Sequence, residues 1–285
     1  MQTRLLGRTG HASSLAILGG ILFHFLDEDA GAAALDRALA AGVNHIDIAP
    51  GYGNAEVNLG PLLPAVRDRV FVSEKTALPD RDSSWAQLNE TLTRLRTDAV
   101  DLYQLHGVTT LADLDSREGA VATLLEAREQ GLCRWIGITG HNLETPATQA
   151  EAVRRYDLDT VMFPIYPRLW ADPDYRRDAE ALLALCQERD LGVMVIKAAA
   201  ARPWDTGDRH ATTWYEPASG ADQVTRGVRF ALSQPGVTGV CTPGDATLFP
   251  LALEAAECFV PMSGDEQEDA VLAMAGESLI FPLPA

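Results

Sequence analysis

Lysine is almost missing from this chain. Of 23 basic side chains only Lys75 and Lys197 carry an ammonium; the others are arginine. Either these two survive by chance, or they sit where a compact point charge is needed and a planar guanidinium fork is no substitute. Composition alone leaves the two readings level. Cysteine is also sparse. Cys133, Cys186, Cys241 and Cys258 are widely spaced with no C-x-x-C, which suits reduced thiols better than a disulfide framework or a zinc site. The six histidines show no H-x-H or H-x-x-x-H spacing, so a metal hydrolase has no support. No G-x-S-x-G occurs, which removes the usual serine-hydrolase signal. No apolar run is long enough to span a bilayer, and the N-terminus "MQTRLLGRTG" lacks the apolar core of a signal peptide. Positive charge is in deficit: the net charge is −17. Like charge argues against nucleic acid or an anionic membrane as a partner, and simple solubility accounts for the acidity. These absences predict a soluble, cytoplasmic protein.

What is present alternates. Apolar strand-like runs at 14–18, 43–48, 69–75, 99–106, 134–139, 160–165, 192–197 and 236–241 are separated by amphipathic stretches such as 30–42, 83–96, 120–131 and 175–190. Asp29, Ser83 or Ser84, and Asp222 suit helix N-caps, and Gly42 suits a helix C-terminus. Eight strands alternating with helices predict a parallel sheet closed into a (β/α)8 TIM barrel, one α/β domain over 1–285. A doubly wound open sheet is the runner-up. The segment 198–220, after the seventh strand, is long, aromatic and marked by Gly and Pro, and reads as functional rather than connecting.

In such barrels the chemistry stands where strands end at the C-terminal face. Strand two ends at Asp47 with Tyr52 just beyond, strand three at Lys75, and strand four at His106. Singly, each has a bland role: a cap, a packed ring, a satisfied histidine. Together they make chemical sense. A phenol near an ammonium becomes a better acid, a carboxylate orients the ammonium, and the histidine either bonds the same substrate oxygen or tunes the phenol. A proton donor of that kind is what a carbonyl needs as it receives a hydride. The glycines of "DIAPGYGNAEVNLG" (47–60) do not complete a G-x-G-x-x-G phosphate loop, because Glu56 stands at the third glycine.

The chain resembles the aldo-keto reductases nearly from end to end. "LGRTG" followed by "LGG" is similar to the family's opening. "GVNHIDIAPGYGNAEVNLG" resembles its G-x-N-x-x-D-T-A-x-x-Y-G-x-x-E-x-x-L-G signature, with Ile48 in place of threonine. "VFVSEKT", "LNETLTRLRTDAVDLYQLH" and "EQGLCRWIGITGHN" are similar to its lysine, histidine and fifth-strand segments. The resemblance implies a barrel, a nicotinamide cofactor (NADPH or NADH) held without a Rossmann fold, and reduction of a small carbonyl substrate. It implies a catalytic tetrad of Tyr52, Lys75, Asp47 and His106, the set the strand ends select.

The departures from the family lie on the cofactor side. Thr139 and Asn142 (or His141) replace a Ser-Asn pair that holds the carboxamide. Met162 replaces a glutamine, and Ile196 followed by Lys197 stands where an aromatic stacks on the nicotinamide. After strand eight, Pro243, Gly244 and Thr247 keep a backbone phosphate element. Asp245, Ala246, Pro250 and Leu251 replace basic residues for a 2′-phosphate. Asp245 is expected either to accept a bond from a free ribose hydroxyl or to cap the last helix. NADPH binding weaker than in typical relatives is expected, with either NADH preferred or neither dinucleotide bound well. The substrate wall is expected from Phe23, His24 and Phe25, from Trp204 and Trp214, and from the tail "SLIFPLPA". Lys197 is expected either to touch cofactor or substrate or to pair with a carboxylate. Two alternatives remain: a non-redox acid–base enzyme (dehydratase or isomerase) on the same barrel, and a nucleotide-binding regulatory subunit.

Overall fold

In the computed structural model, which describes residues 1–205 and 207–281, eight parallel strands close into a barrel. They are β1 (Ala16–Gly19), β2 (His45–Asp47), β3 (Phe71–Thr76), β4 (Leu102–Leu105), β5 (Trp135–Thr139), β6 (Thr160–Pro164), β7 (Gly192–Ile196) and β8 (Val237–Cys241). Each pairs with the next, and β8 returns to β1 through Val240↔Ala16 and Cys241↔Ile17. All eight runs read from the sequence are strands, shorter by up to three residues at an end, with β1 and β3 each running one residue further at the C-terminal end. The reading at 14–18 merged two elements. Ser14 belongs to an antiparallel hairpin, Thr3–Leu5 with Ala12–Ser14, and the barrel strand starts at Ala16.

Helices follow the strands: α1 (Glu28–Ala40), α2 (Arg81–Leu95), α3 (Glu118–Glu129), α4 (Thr145–Arg155), α5 (Pro173–Glu188), α6 (Gly220–Leu232) and α7 (Leu248–Glu257), with α8 (Gly264–Met274) added near the end. A short helix, Ala55–Leu59, lies between β2 and β3. Four of these start two residues before the apolar pattern does, because their first turns are polar and exposed. The expected N-caps shift accordingly. Asp27, not Asp29, accepts from Ala30 N, and Asp80, not Ser83 or Ser84, accepts from Ser83 N. Asp222 lies inside the first turn of α6, whose N-cap is Ser219. Gly42 closes α1 at φ 88° as expected.

Side chains alternate in and out along each strand. The inward set builds the barrel interior in layers. Ile17, Phe71, Leu102, Met162 and Met194 form an apolar plug, closed below by Leu6 from the hairpin turn. One step toward the C-terminal ends, the same parity gives Asp47, Lys75, Gln104, Thr139, Ile196 and Cys241. The barrel therefore brings Asp47, Lys75, Gln104 and Thr139 to one floor, while His45 and Ser73 pair with each other a layer below.

Candidate active site

Asp47 and Lys75 meet on that floor. Lys75 Nζ donates to Asp47 Oδ2 at 2.7 Å and to the Ile48 carbonyl at 2.7 Å. Both side chains are almost wholly buried, so neither is accessible as a surface charge. Gln104 Nε2 approaches the other Asp47 oxygen at 3.5 Å. Burial opposes the Lys75 charge, but Asp47, Tyr52 and Glu74 outweigh it and hold the ammonium above its ordinary pKa. An ammonium has three donors; two are engaged, and one remains for the phenol above it.

Tyr52 stands over this pair, its ring centre 5.1 Å from Lys75 Nζ. It is carried on the turn after β2, where Gly53 adopts φ 58°. A side chain at Gly53 would collide with the His24 ring, 2.4 Å from a Cβ. Glycine is required there by packing as well as by backbone conformation. The His106 ring meets Tyr52 edge-on at 5.7 Å. Burial, then the Lys75 charge and other nearby charges, hold His106 well below its usual pKa, so it is neutral at pH 7. Desolvation dominates at Tyr52 as well. Burial pushes the phenol up to about 12 although Lys75 pulls the other way. Lys75 lowers this pKa as the sequence reading expects, but burial outweighs it, so the net shift is upward.

Asp47, Tyr52 and His106 open into a cavity of about 350 Å³, with Lys75 sealed beneath; Phe25, His141, Ile196, Lys197, Trp214, Tyr215, Cys241, Pro243 and Gly244 are among its other walls. Its volume falls at the low end for small-molecule sites. Trp214 and Tyr215 come from the long loop, whose ends form a small hairpin, Ala200–Arg202 with Glu216–Pro217; Thr206 of that loop lies outside the described residues. Lys197 Nζ lies 4.5 Å from the Trp214 ring centre and 5.6 Å from that of Tyr215. Cation–π contact of this kind contributes about 0.5–2 kcal/mol.

Several expected site residues are elsewhere. Phe23 is fully buried beside Gly31 of α1; the 3-10 turn Gly20–His24 sends it inward and leaves Phe25 at the mouth. His24 accepts from Asn54 N at 3.2 Å and braces the Tyr52 turn. Trp204 donates to the Thr213 carbonyl at 2.9 Å and stacks edge-on with His210, holding the loop rather than lining the cavity. Met162 belongs to the apolar plug, because it points into the barrel one layer below the floor. Thr139 is buried, its hydroxyl accepting from Gly107 N. Asn142 turns onto Leu143 N at the start of α4, and His141 takes the cavity position instead. His141 Nδ1 is buried without a partner among the described residues. Of the tail, Phe281 packs against Trp214 from behind, and residues 282–285 lie outside the described residues.

Asp245 is committed to the protein. Its Oδ1 accepts from Thr247 N, Thr247 Oγ1 and Leu248 N, and its Oδ2 from Thr212 N and Thr212 Oγ1. It caps α7 and ties the long loop to it, so the ribose-reading expectation gives way to the capping one. Pro243 and Gly244 do line the cavity; Thr247 is spent on Asp245. Tyr215 and Cys241 were not singled out from the sequence. Cys241 was visible as the last inward residue of β8, and Tyr215 only as one aromatic among several in its loop.

Among the described residues no group of acidic, histidine and cysteine side chains could hold a metal ion, and no helix is long and apolar enough to cross a membrane.

Comparison with known proteins agrees with this geometry. A sequence model described as the aldo/keto reductase family matches residues 17–217. An aldo-keto reductase of Mycolicibacterium smegmatis is 37% identical over 118 residues, 39% of this chain and 40% of that protein. The L-glyceraldehyde 3-phosphate reductase of Escherichia coli is 26% identical over 197 residues, 60% of this chain and 56% of that one. A methylglyoxal reductase of Salmonella typhimurium is 30% identical over 149 residues, 50% and 55% of the two chains. The alignments thus span about half the length of these relatives. Among solved structures, the holo form of an aldo-keto reductase from Bacillus halodurans superposes with a TM-score of 0.75 at 21% identity, over 99% of both chains. At that identity the likeness shows the shared barrel.

Proposed function

This chain belongs to the aldo/keto reductase family, and on that premise we propose that it reduces an aldehyde or ketone to the alcohol, or runs the reverse, with Tyr52 as proton donor. One observation carries the reading: a buried Asp47–Lys75 pair lies under Tyr52, beside a neutral His106, at the mouth of one cavity. A nicotinamide dinucleotide fits that cavity's chemistry, because Ile196 offers an apolar wall while, among the described residues, Lys197 has no ion pair and His141 Nδ1 no hydrogen-bond partner. Reduced nicotinamide, when bound, supplies a hydride to the carbonyl carbon.

The chain's own residues handle the oxygen. Tyr52 gives its proton to the carbonyl oxygen as negative charge builds there, and neutral His106 can donate a second bond to the same oxygen. The phenolate left behind is stabilised by the Lys75 ammonium, and Asp47 keeps that ammonium charged and aimed. Burial limits competing water. With no basic side chain at 245–251, a 2′-phosphate gains nothing from the loop after β8, so NADH should bind at least as tightly as NADPH.

The test is a titration with both dinucleotides followed by single-turnover oxidation with a panel of aldehydes, including methylglyoxal and glyceraldehyde 3-phosphate. Bound NADH or NADPH oxidised within one turnover supports the reductase. Binding without oxidation by any aldehyde favours the regulatory alternative, and failure to bind either dinucleotide favours a non-redox acid–base enzyme. An NADPH Kd far below that for NADH would overturn the cofactor preference.

A further inference from the structure

Lys197 is the one lysine of this protein with no anionic partner among the described residues. Lys75, the other lysine, is paired with Asp47. Burial drains its charge and the Lys75 ammonium repels it; only the Cys241 thiol opposes this, and its pKa settles at about 8. The groups around it add no negative charge at pH 7. Cys241 is held protonated well above the ordinary thiol range by burial. Burial, then the two lysine charges, lowers His141 to about 3, so it is neutral. Burial likewise raises Tyr215, which stays protonated. Lys197 also carries a backbone cost. Among the described residues it is one of three non-glycine residues at positive φ, at 69°. Arg96 and Asp190, the other two, end or follow helices, a role in which the left-handed conformation closes the last turn. Lys197 instead follows β7 at the rim of the cavity, where glycine would adopt the same conformation without strain. The lysine therefore stands there for its side chain. Trp214 and Tyr215 hold that side chain in place by their ring faces, which attract a cation but cannot neutralise it.

We propose that Lys197 is an anion-docking residue: it takes a carboxylate or phosphate group of the molecule bound in the cavity, steadied by Trp214 and Tyr215. Such a group would complete the ion pair that the protein leaves open, by a charge-assisted bond to the ammonium. Its source is either the dinucleotide's phosphates or an acidic substituent on the carbonyl substrate. Naming the second source rests on the reductase reading; the docking itself does not.

Two lysines make the test direct. Protein labelled with 13C at lysine Cε gives two side-chain signals, assigned by Lys197→Arg and Lys197→Met. In the free protein the Lys197 signal titrates near pH 8, and that of Lys75 does not titrate there. The probes are pyrophosphate, NADPH, 4-carboxybenzaldehyde and its neutral methyl ester. A charged probe is expected to raise the Lys197 midpoint by about one pH unit, a tenfold preference for the protonated form, while the ester leaves it in place. Lys197→Met should weaken the same charged probe about tenfold with less than a twofold effect on the ester, and Lys197→Arg should retain part of the affinity. Pyrophosphate and NADPH acting together identify the dinucleotide as the source, and 4-carboxybenzaldehyde identifies the substrate. The proposal is overturned if no charged probe moves the midpoint, or if the ester moves it equally. The readout needs no turnover. A moving midpoint in a protein that oxidises no bound NADH would sink the reductase reading and leave the docking site standing.

Discussion

Tyr52 feels two opposed influences, and their balance fixes how it works. The Lys75 ammonium favours the phenolate and burial favours the phenol; burial wins, leaving the group at about 12. Reduction needs the protonated form, which persists at all pH below that value and is lost only as pH rises through it. With a neutral aldehyde and saturating dinucleotide, the single-turnover rate should show no loss of the phenol proton between about pH 6 and pH 10. Tyr52→Phe should lower that rate about 10²–10⁴-fold, the usual worth of a positioned acid, with the dinucleotide Kd nearly unchanged; a loss under tenfold would assign the proton elsewhere. Tyr52 is a cleaner probe than its neighbours. Removing Asp47 or Lys75 strands the other's buried charge, at a cost of about 3–5 kcal/mol in stability. Asp47, Lys75 and His106 were legible in the sequence because each stands at or just past a strand end with inward parity. Phe25 and Phe23 were not distinguishable, since which side of a one-turn 3-10 helix faces a cavity depends on what packs behind it. Here that is Gly31 of α1.

Elements were read well where they are apolar and poorly where they meet water. The eight strands are buried over nearly their whole length, so their hydrophobic runs mark them directly. Helix starts were missed by two residues because the cap and first turn obey hydrogen-bonding chemistry rather than amphipathic spacing. Asp27, Asp80 and Asp245 are all caps of this kind. Asp245 does more, because its second oxygen holds Thr212 on the loop that carries Trp214 and Tyr215. Burial disfavours its charge, but the bonds from Thr247, Thr212 and Leu248 outweigh this and keep its pKa below the ordinary value. A carboxylate with a depressed folded pKa stabilises above its unfolded pKa, and that contribution is lost as pH falls through the folded value. Asp245→Ala should therefore destabilise the protein by about 1–2 kcal/mol at neutral pH, as for lost caps elsewhere, with a smaller difference from the parent in acid. Thermal melts at the two pH values would check this. Trp214 fluorescence should shift in the same variant, and an unchanged spectrum would mean the loop is held without the tether.

The whole molecule sets a negative exterior around a cavity whose buried ion pair leaves one ammonium over. At a net charge of −17, long-range repulsion slows the approach of an anionic dinucleotide, while short-range attraction inside the cavity is screened much less. Raising ionic strength from about 0.01 M to about 0.1 M shortens the screening length from about 30 to about 10 Å. The NADH association rate in stopped flow should rise over that range, and a steep fall would show that a positive surface steers the ligand instead. The parallel barrel was legible at this scale because eight strand–helix alternations leave few other architectures. The volume of the cavity and its pairing of Trp214 with Lys197 were not, since they depend on how a long polar loop folds back over the rim.

Both lysines of the chain lie at the barrel mouth, one sealed under Tyr52 and one between two aromatic rings. The outer surface therefore presents no lysine amine at all. Acylating dyes, biotin esters and aldehyde-activated supports, which ordinarily decorate a protein at random, have two kinds of target here: the chain's amino terminus and the active cavity. At pH 8 such a reagent marks the cavity amine alongside the amino terminus. The fraction of cavity label that a bound ligand prevents, read against the amino-terminal label, would count occupied sites.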